Sequence, residues 1–426
     1  MKKTSLIVVG AALALLAGAA RLLLWPGDDL GPPATATTLT PAATVARGAY
    51  LAKAGDCMAC HTARGGAEYA GGRALQTPFG SVLSPNLTSD RATGIGAWSA
   101  ADFWGALHNG KSRDGRLLYP AFPYTNYTKV RREDSDALYA FFQTVPAVRL
   151  ANQPHRLRFP YDQQIALAAW RALYFKPAVY SERAGQSVEW NRGAYLAQGL
   201  GHCSACHSGR NPLGAADDSL SGGLIPILGW YAPSLTSDAE AGLGNWDNAH
   251  IVALLKTGVS PRASVFGPMA EVVQASLQHL ETADVNAMAV YLKTLPGTPQ
   301  ATPKEPSTAT PEAKAVLAAG AKLYETHCAD CHHADGAGAA PAYPALAGNR
   351  ALTTEEAVNP IRIVLNGGFA PGTAGNPRPY GMPAFGPLLD DAEVAAVVTY
   401  LRASWGNKAA PVSAFDVNRY RSVPLD

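Results

Sequence analysis

Cysteine is scarce in this chain of 426 residues: there are six, and none lies outside three copies of Cys-x-x-Cys-His. A disulfide framework is excluded, because a bridge within each copy would close a loop too small to staple a domain of this length. Structural zinc needs four ligands and would leave one of the three motifs over. A thioredoxin-like pair would leave the His after each second Cys unexplained. An excess of one charge is also missing. The 35 Lys and Arg balance 33 Asp and Glu to a formal net charge of +2 with no long basic run, so nothing points to nucleic acid. No Gly-x-Gly-x-x-Gly fingerprint, P-loop, His-x-x-x-His pair or Ser, His and Asp grouping occurs. The sequence therefore offers no substrate chemistry of its own and no catalytic residue.

What is present is the attachment pattern of c-type haem. Cys57, Cys60 and His61 stand in CMACH, Cys203, Cys206 and His207 in CSACH, and Cys328, Cys331 and His332 in CADCH. Two cysteines three apart lie on one side of a helical turn and reach both vinyl groups of one porphyrin, while the next imidazole faces the iron. The pattern predicts three haem c groups and a role in moving electrons. Three haems in series suit a wire between a donor and an acceptor held apart.

The length suits roughly three domains of about 100 to 150 residues. The 41 glycines and 32 prolines predict loop-rich domains, for which a haem supplies a large apolar core. Internal repetition agrees. RGAYLAKAGDCMACH from Arg47, RGAYLAQGLGHCSACH from Arg192 and AGAKLYETHCADCH from Ala319 each read as an amphipathic helix entering its haem motif. PNLTSDRATGIGAW, starting at Pro85, returns as PSLTSDAEAGLGNW at Pro233. Helical stretches close the three repeats at Pro146, Pro296 and Ser404. Pro85, Pro233 and Pro344 each precede a Leu by two residues; their carbonyls can hold the outer nitrogen of the haem-binding imidazole, or they are turn residues before a Leu that packs on the porphyrin. The expected organisation is domain 1 over 46–148, a connector over 149–186, domain 2 over 187–298, a linker over 299–312, domain 3 over 313–405 and a tail over 406–426. Within the connector, Gln163 to Phe175 reads as an amphipathic helix that packs on a partner or shields a domain boundary. The linker has the Pro and Thr content of a semi-rigid spacer.

Residues 1–45 carry a signal or membrane anchor plus a tether. Lys2 and Lys3 precede an apolar run from Leu6 to Trp25, broken only by Arg21, and at about 1.5 Å per residue such a run just spans a bilayer core of about 30 Å. A cleaved signal with Ala17-Gly18-Ala19 as its small-residue site is the alternative, and the extension through Leu22, Leu23, Leu24 and Trp25 favours the retained anchor. Either way the rest of the chain is exported, with the lysines inside and Asp28 and Asp29 outside.

The distal side separates the repeats. A second axial ligand, commonly Met, raises a haem's potential. Met269 follows His207 by 62 residues in FGPMAEV and Met382 follows His332 by 50 in YGMPAFG, both just upstream of a closing helix, and both are expected to bind iron. Met288 inside a closing helix is expected in the core. The first repeat departs from this pattern: the matching position holds Phe122 in LYPAFPY, and Met58 lies within the attachment turn. Haem 1 is then five-coordinate or takes another group, for which His108 in LHNGKSRDG is the nearest imidazole candidate. Without Met its potential should fall below those of haems 2 and 3, which suits it to the donor end.

Taken together, RGAYLA, GDCMACHT, FGSVLSPNLTSD, LYPAFPYTNYTKV, WNRGAYL, GHCSACHSGRN and YGMPAFG resemble the triheme cytochrome c subunit of bacterial membrane-bound periplasmic dehydrogenases, across about residues 46 to 405. The resemblance implies a mainly α fold of three tandem class I cytochrome c-like domains, loop-rich, each around one covalently bound haem. It carries Cys57, Cys60, Cys203, Cys206, Cys328 and Cys331 as covalent haem attachments and His61, His207, His332, Met269 and Met382 as iron ligands. It also implies electrons entering from a catalytic dehydrogenase subunit and leaving to ubiquinone or a downstream oxidase at the periplasmic side of the inner membrane. Alcohol and gluconate systems read Met where this chain has Phe122; the Phe form resembles subunits paired with molybdopterin enzymes of the aldehyde dehydrogenase type, with quinoprotein and flavoprotein partners as the other choices. Two functions of other classes compete. An open haem 1 could react with peroxide in the manner of a peroxidase, or the chain could serve as a cytochrome c subunit of a terminal oxidase.

Overall fold

Short helices separated by long glycine- and proline-rich loops follow from the composition, and the computed structural model describes them for residues 18, 28, 29, 31, 39–238, 242–297 and 310–423. Most of the anchor and tether (1–45) and of the linker (299–312) lies outside the described residues. Among the described residues no helix is long and apolar enough to cross a membrane. The chain packs as two compact units, residues 1–51 with 60–181 and residues 52–59 with 182–426. The fold is mostly helical, with strands of two to four residues.

Helix α1 (Pro41–Ala54) leads into α2 (Cys57–His61); of these residues, those up to 51 and from 60 onward belong to the first unit and 52–59 to the second. Strands β1 (Ala74–Thr77), β2 (Gly80–Leu83) and β3 (Arg156–Leu157) form an antiparallel sheet in that order. Helix α3 (Ala100–Asn109) starts at a capping box in which Ser99 and Asp102 satisfy each other's backbone N–H, and stops at Gly110 in the left-handed region. After α4 (Tyr124–Tyr127), helix α5 (Arg132–Phe142) crosses α1 at Gly48. A Cβ on Gly48 would lie 1.9 Å from the Ala137 carbonyl oxygen, so the approach needs glycine. Arg47 fixes the crossing by donating from Nε to Asp134 at 2.6 Å. Helix α6 (Gln164–Tyr174) is the expected amphipathic connector helix. Its Leu167 and Ala168 pack with Leu117, and its Arg171 donates to the Asn109 carbonyl at 2.6 Å, while Ile165 and Leu173 stand exposed.

The second unit opens with α7 (Val188–Gln198), capped by Ser187, and α8 (Ser204–His207). There follow β4 (Gly223–Ile225) paired with β5 (Trp230–Ala232), α9 (Asn248–Thr257), β6 (Val259–Ser260) paired with β7 (Ala263–Ser264), α10 (Pro268–Ala275) and α11 (Thr282–Lys293). The remainder contains α12 (Pro311–His327), α13 (Ala329–His332), α14 (Arg350–Thr353), α15 (Val358–Asn366), the pair β8 (Gly368–Phe369) and β9 (Gly381–Met382), α16 (Asp391–Ala403) and α17 (Ala414–Arg421).

The α1–α5 crossing recurs twice here. A Cβ on Gly193 of α7 would meet the Ala287 carbonyl of α11 at 1.9 Å, and one on Gly320 of α12 would meet the Ala396 carbonyl of α16 at 2.2 Å. Arg192 and Asp284 form a bidentate pair at 2.8 and 2.6 Å, the counterpart of Arg47 and Asp134. The residues expected to be a tail instead join the core, since α17 seats Val417 with Ile361, Leu365, Val394 and Val398. Residues 187–298 and 313–405 also bond to each other within this unit. The Asn359 amide accepts from the Tyr231 N–H at 2.9 Å and donates to its carbonyl at 2.8 Å, and the Arg362 guanidinium lies 5.0 Å from the centre of the Trp230 ring.

Candidate haem sites

Each Cys-x-x-Cys-His occupies a short helical turn at the end of its repeat's first helix. The backbone N–H of His207 bonds to the Cys203 carbonyl, and that of His332 to the Cys328 carbonyl, both at 2.9 Å. A common frame then holds all three imidazoles. Nδ1 of His61 donates to the Pro85 carbonyl at 2.8 Å, Nδ1 of His207 to Pro233 at 2.7 Å and Nδ1 of His332 to Pro344 at 3.0 Å. The Leu two residues on locks each proline loop: Leu87 donates to Tyr69, Leu235 to Leu220 and Leu346 to Gly336, all at 2.8 Å. Each His carbonyl accepts in turn from a glycine with positive φ, Gly71, Gly222 or Gly338. At Gly71 a Cβ would sit 2.5 Å from the Pro85 carbonyl carbon, which explains the glycine.

A carbonyl can only accept, so in each ring Nδ1 carries the proton and Nε2 keeps a lone pair. Burial pulls the imidazoles of His61 and His207 down to about 4 and lowers that of His332, against the opposing pull of the proline carbonyls. The rings are neutral at physiological pH, as a metal ligand must be. Burial also pushes the Cys203 thiol up to about 12 and that of Cys328 up to about 11. Three neutral imidazoles, each beside two thiols on one turn, fit haem c.

In the second unit both attachment turns open into one mostly apolar cavity of about 390 Å³, whose lining includes His207, His332, Met269 and Met382. Met269 sits in the first turn of α10, just after Gly267 (φ +55), where a Cβ would come within 2.6 Å of the Trp230 ring. Met382 pairs with Gly368 across β8 and β9. The fold thus brings both expected sulfur donors to the same cavity as both imidazoles. Met288, 2 % exposed, is a core residue of α11.

The first unit differs. Phe122 is half-buried with its ring 5.2 Å from that of Tyr127. His108, at the end of α3, is fully buried and stacks on Trp104 at 4.4 Å. Its Nδ1 hydrogen-bonds with the Thr128 carbonyl at 2.9 Å and its Nε2 stands 3.5 Å from an Asp29 carboxylate oxygen. Nδ1 is thus hydrogen-bonded, whereas the buried Nε2 makes no hydrogen bond among the described residues.

Sequence reasoning missed Arg350. It belongs to the four-residue helix α14, matches no motif, and lines the shared cavity while only 8 % exposed. It donates to the carbonyl of Ser234, one residue past the proline that holds His207, at 3.0 Å, and its guanidinium lies 5.1 Å from the centre of the Trp246 ring. The only advance signal was on its partners, since Ser234 and Trp246 belong to the repeated PSLTSD…W segment.

Comparison with known proteins identifies the family. The cytochrome c family profile matches residues 45–146 and 317–405. The cytochrome c subunit of a quinone-dependent alcohol dehydrogenase from Gluconacetobacter polyoxogenes is 39 % identical over 409 residues, covering 91 % of this chain and 87 % of that one. The gluconate 2-dehydrogenase cytochrome c subunit of Pantoea cypripedii is 41 % identical over 397 residues, 89 % of this chain and 90 % of that one. The fructose dehydrogenase cytochrome subunit of Gluconobacter japonicus is 35 % identical over 425 residues, 91 % of this chain and 86 % of that one. This chain belongs to the family of cytochrome c subunits of bacterial dehydrogenases.

Proposed function

We propose that the protein is a triheme c-type cytochrome that accepts electrons from a catalytic dehydrogenase subunit and passes them to ubiquinone or a downstream oxidase. The observation that carries this reading is the threefold repetition of one frame, in which a proline carbonyl holds Nδ1 of the His that follows two cysteines. Bound there, haem supplies reversible one-electron exchange at iron. The chain's own residues do the rest. His61, His207 and His332 present Nε2 in a fixed orientation, the six cysteines tether the porphyrins, and Met269 and Met382 supply sulfur as sixth ligands of haems 2 and 3. Each haem then has its own domain, 46–148, 187–298 and 313–405, the last two sharing a cavity.

His108 has Nδ1 held by the Thr128 carbonyl, while its buried Nε2 makes no hydrogen bond among the described residues and stands 3.5 Å from an Asp29 carboxylate oxygen, so haem 1 is either five-coordinate, with Phe122 on its distal side, or takes His108 as its sixth ligand. Haem 1 then has the lowest potential and is the entry point for electrons. The run from Leu6 to Trp25 holds the chain at the periplasmic side of the inner membrane. Relatives are named as subunits of alcohol, gluconate, fructose and nicotinate dehydrogenases, which supports a catalytic partner for this chain. The resemblance carried by Phe122 favours a molybdopterin enzyme.

Purification of the tagged chain from host membranes tests the proposal. It should bring down one large molybdopterin, quinoprotein or flavoprotein chain whose substrate reduces all three haems anaerobically. Copurification of a copper-haem oxidase subunit in place of any dehydrogenase chain, or turnover with peroxide by the chain alone, would overturn it.

A further inference from the structure

Arg350 is a buried cation without a visible anion. Its guanidinium meets a carbonyl at Ser234 and the face of Trp246, and among the described residues no carboxylate pairs with it. Leaving water without a counter-charge is costly for a guanidinium, so such groups are retained where an anion arrives to pair with them. Burial alone pulls its pKa down to about 10, with no carboxylate opposing the shift.

The surroundings indicate which anion. Arg350 lines the cavity into which the attachment turns of the second unit open, and haem brings carboxylates of its own to such a site. The loop it grips is the one that holds His207, because Ser234 follows Pro233. We propose that Arg350, carried by the third repeat, is the counter-ion of a carboxylate on the haem tethered by the second repeat, and that this pairing raises the reduction potential of haem 2. Neutralising a negative charge near the iron favours the reduced state, which carries one positive charge fewer. The potential of haem 2 would then depend on a residue of the neighbouring repeat, so separating the two repeats would lower it.

This inference rests on the haem assignment above, and the two fail separately. A pyridine haemochrome assay counts haems whatever their potentials. Spectroelectrochemical titration then compares wild type with Arg350→Gln, Arg350→Met and Arg350→Lys, the step belonging to haem 2 being identified by its response to Met269→Ala. The Gln and Met variants should keep three haems and shift the haem 2 equilibrium toward the oxidised form by about tenfold, or about 59 mV for a one-electron couple. Haem 3 should move less, and Arg350→Lys, which keeps the charge, should stay near wild type. An unmoved haem 2 step, or a Lys variant that falls as far as the Met variant, would overturn the proposal. If the neutral variants fail to load haem, a structure of the haem-loaded wild-type chain decides. The guanidinium should lie within about 4 Å of a carboxylate on the haem joined to Cys203 and Cys206. A guanidinium paired with haem 3, or with neither haem, would refute it.

Discussion

Replacing Gly193 by Ala puts the helix crossing that supports the second attachment turn directly to the test. The added Cβ would lie 1.9 Å from the Ala287 carbonyl oxygen and 2.4 Å from its carbon, both backbone atoms of a buried helix that cannot swing aside as a side chain could. Helices α7 and α11 must therefore separate. Overpacking a core costs about 1–3 kcal/mol, and a backbone clash belongs near 3 kcal/mol. Ala is a better helix former than Gly by about 1 kcal/mol, which leaves a net loss of about 2 kcal/mol. For a unit of roughly 150–250 residues that lowers Tm by about 4–8 °C. Thermal unfolding followed by far-ultraviolet circular dichroism measures it, with Gly209→Ala, where a Cβ meets nothing within 4 Å, as the control. A Gly193→Ala protein that melts with the control would refute the close crossing, and with it the equivalence of Gly48, Gly193 and Gly320.

Three further outcomes follow from the same structure. Met269→Ala should lower the potential of one haem and Met382→Ala that of a different one, each with loss of the methionine-iron charge-transfer absorption; a shared or absent response would remove these residues as ligands. Phe122→Met should add that absorption and raise the lowest of the three potentials, whereas an unchanged spectrum would show that position 122 does not face haem 1. The Asp391 carboxyl is held below the usual carboxylate range by Asn418 and Arg421, which tie α17 to the start of α16. A carboxyl depressed in the folded state stabilises above its ordinary value of 3.8 and loses that contribution as pH falls through its lower folded value. Hydrogen exchange in Ala414–Arg421 should therefore be faster in Asp391→Asn at neutral pH, and in the wild type the α17 tie should weaken only below about pH 4; equal exchange in the variant would separate this tie from the helix's stability.

How far the sequence carries depends on the range of the interactions. The attachment turns, the proline partners of the imidazoles and the helix leading into each motif were legible because they are local and occur three times. Of the two roles open to Pro85, Pro233 and Pro344 in the sequence, the carbonyl partner of Nδ1 is present in all three, at 2.7–3.0 Å. Arg350 was not legible, since a lone Arg in a four-residue helix has no periodicity and the carbonyl it grips lies 116 residues away in the chain. The bonds between Asn359 and Tyr231, which join the second and third repeats into one unit, escaped for the same reason. Helix α17 lies in the segment expected as a tail, and AFDVNRYR offers too little apolar surface beyond Val417 and the Tyr420 ring for a helical period to register. The strands β4 to β9 are too short for an alternation of side chains to register.

Every electron-transfer role proposed for this protein depends on covalent porphyrin at three positions. Intact-mass measurement of the protein from its native host, paired with a haemochrome assay, is the most direct test. Three haems per chain are predicted, falling to two when Cys203 and Cys206 are both replaced by Ala. A native chain that carries two haems or fewer, or a double variant that still carries three, would contradict it.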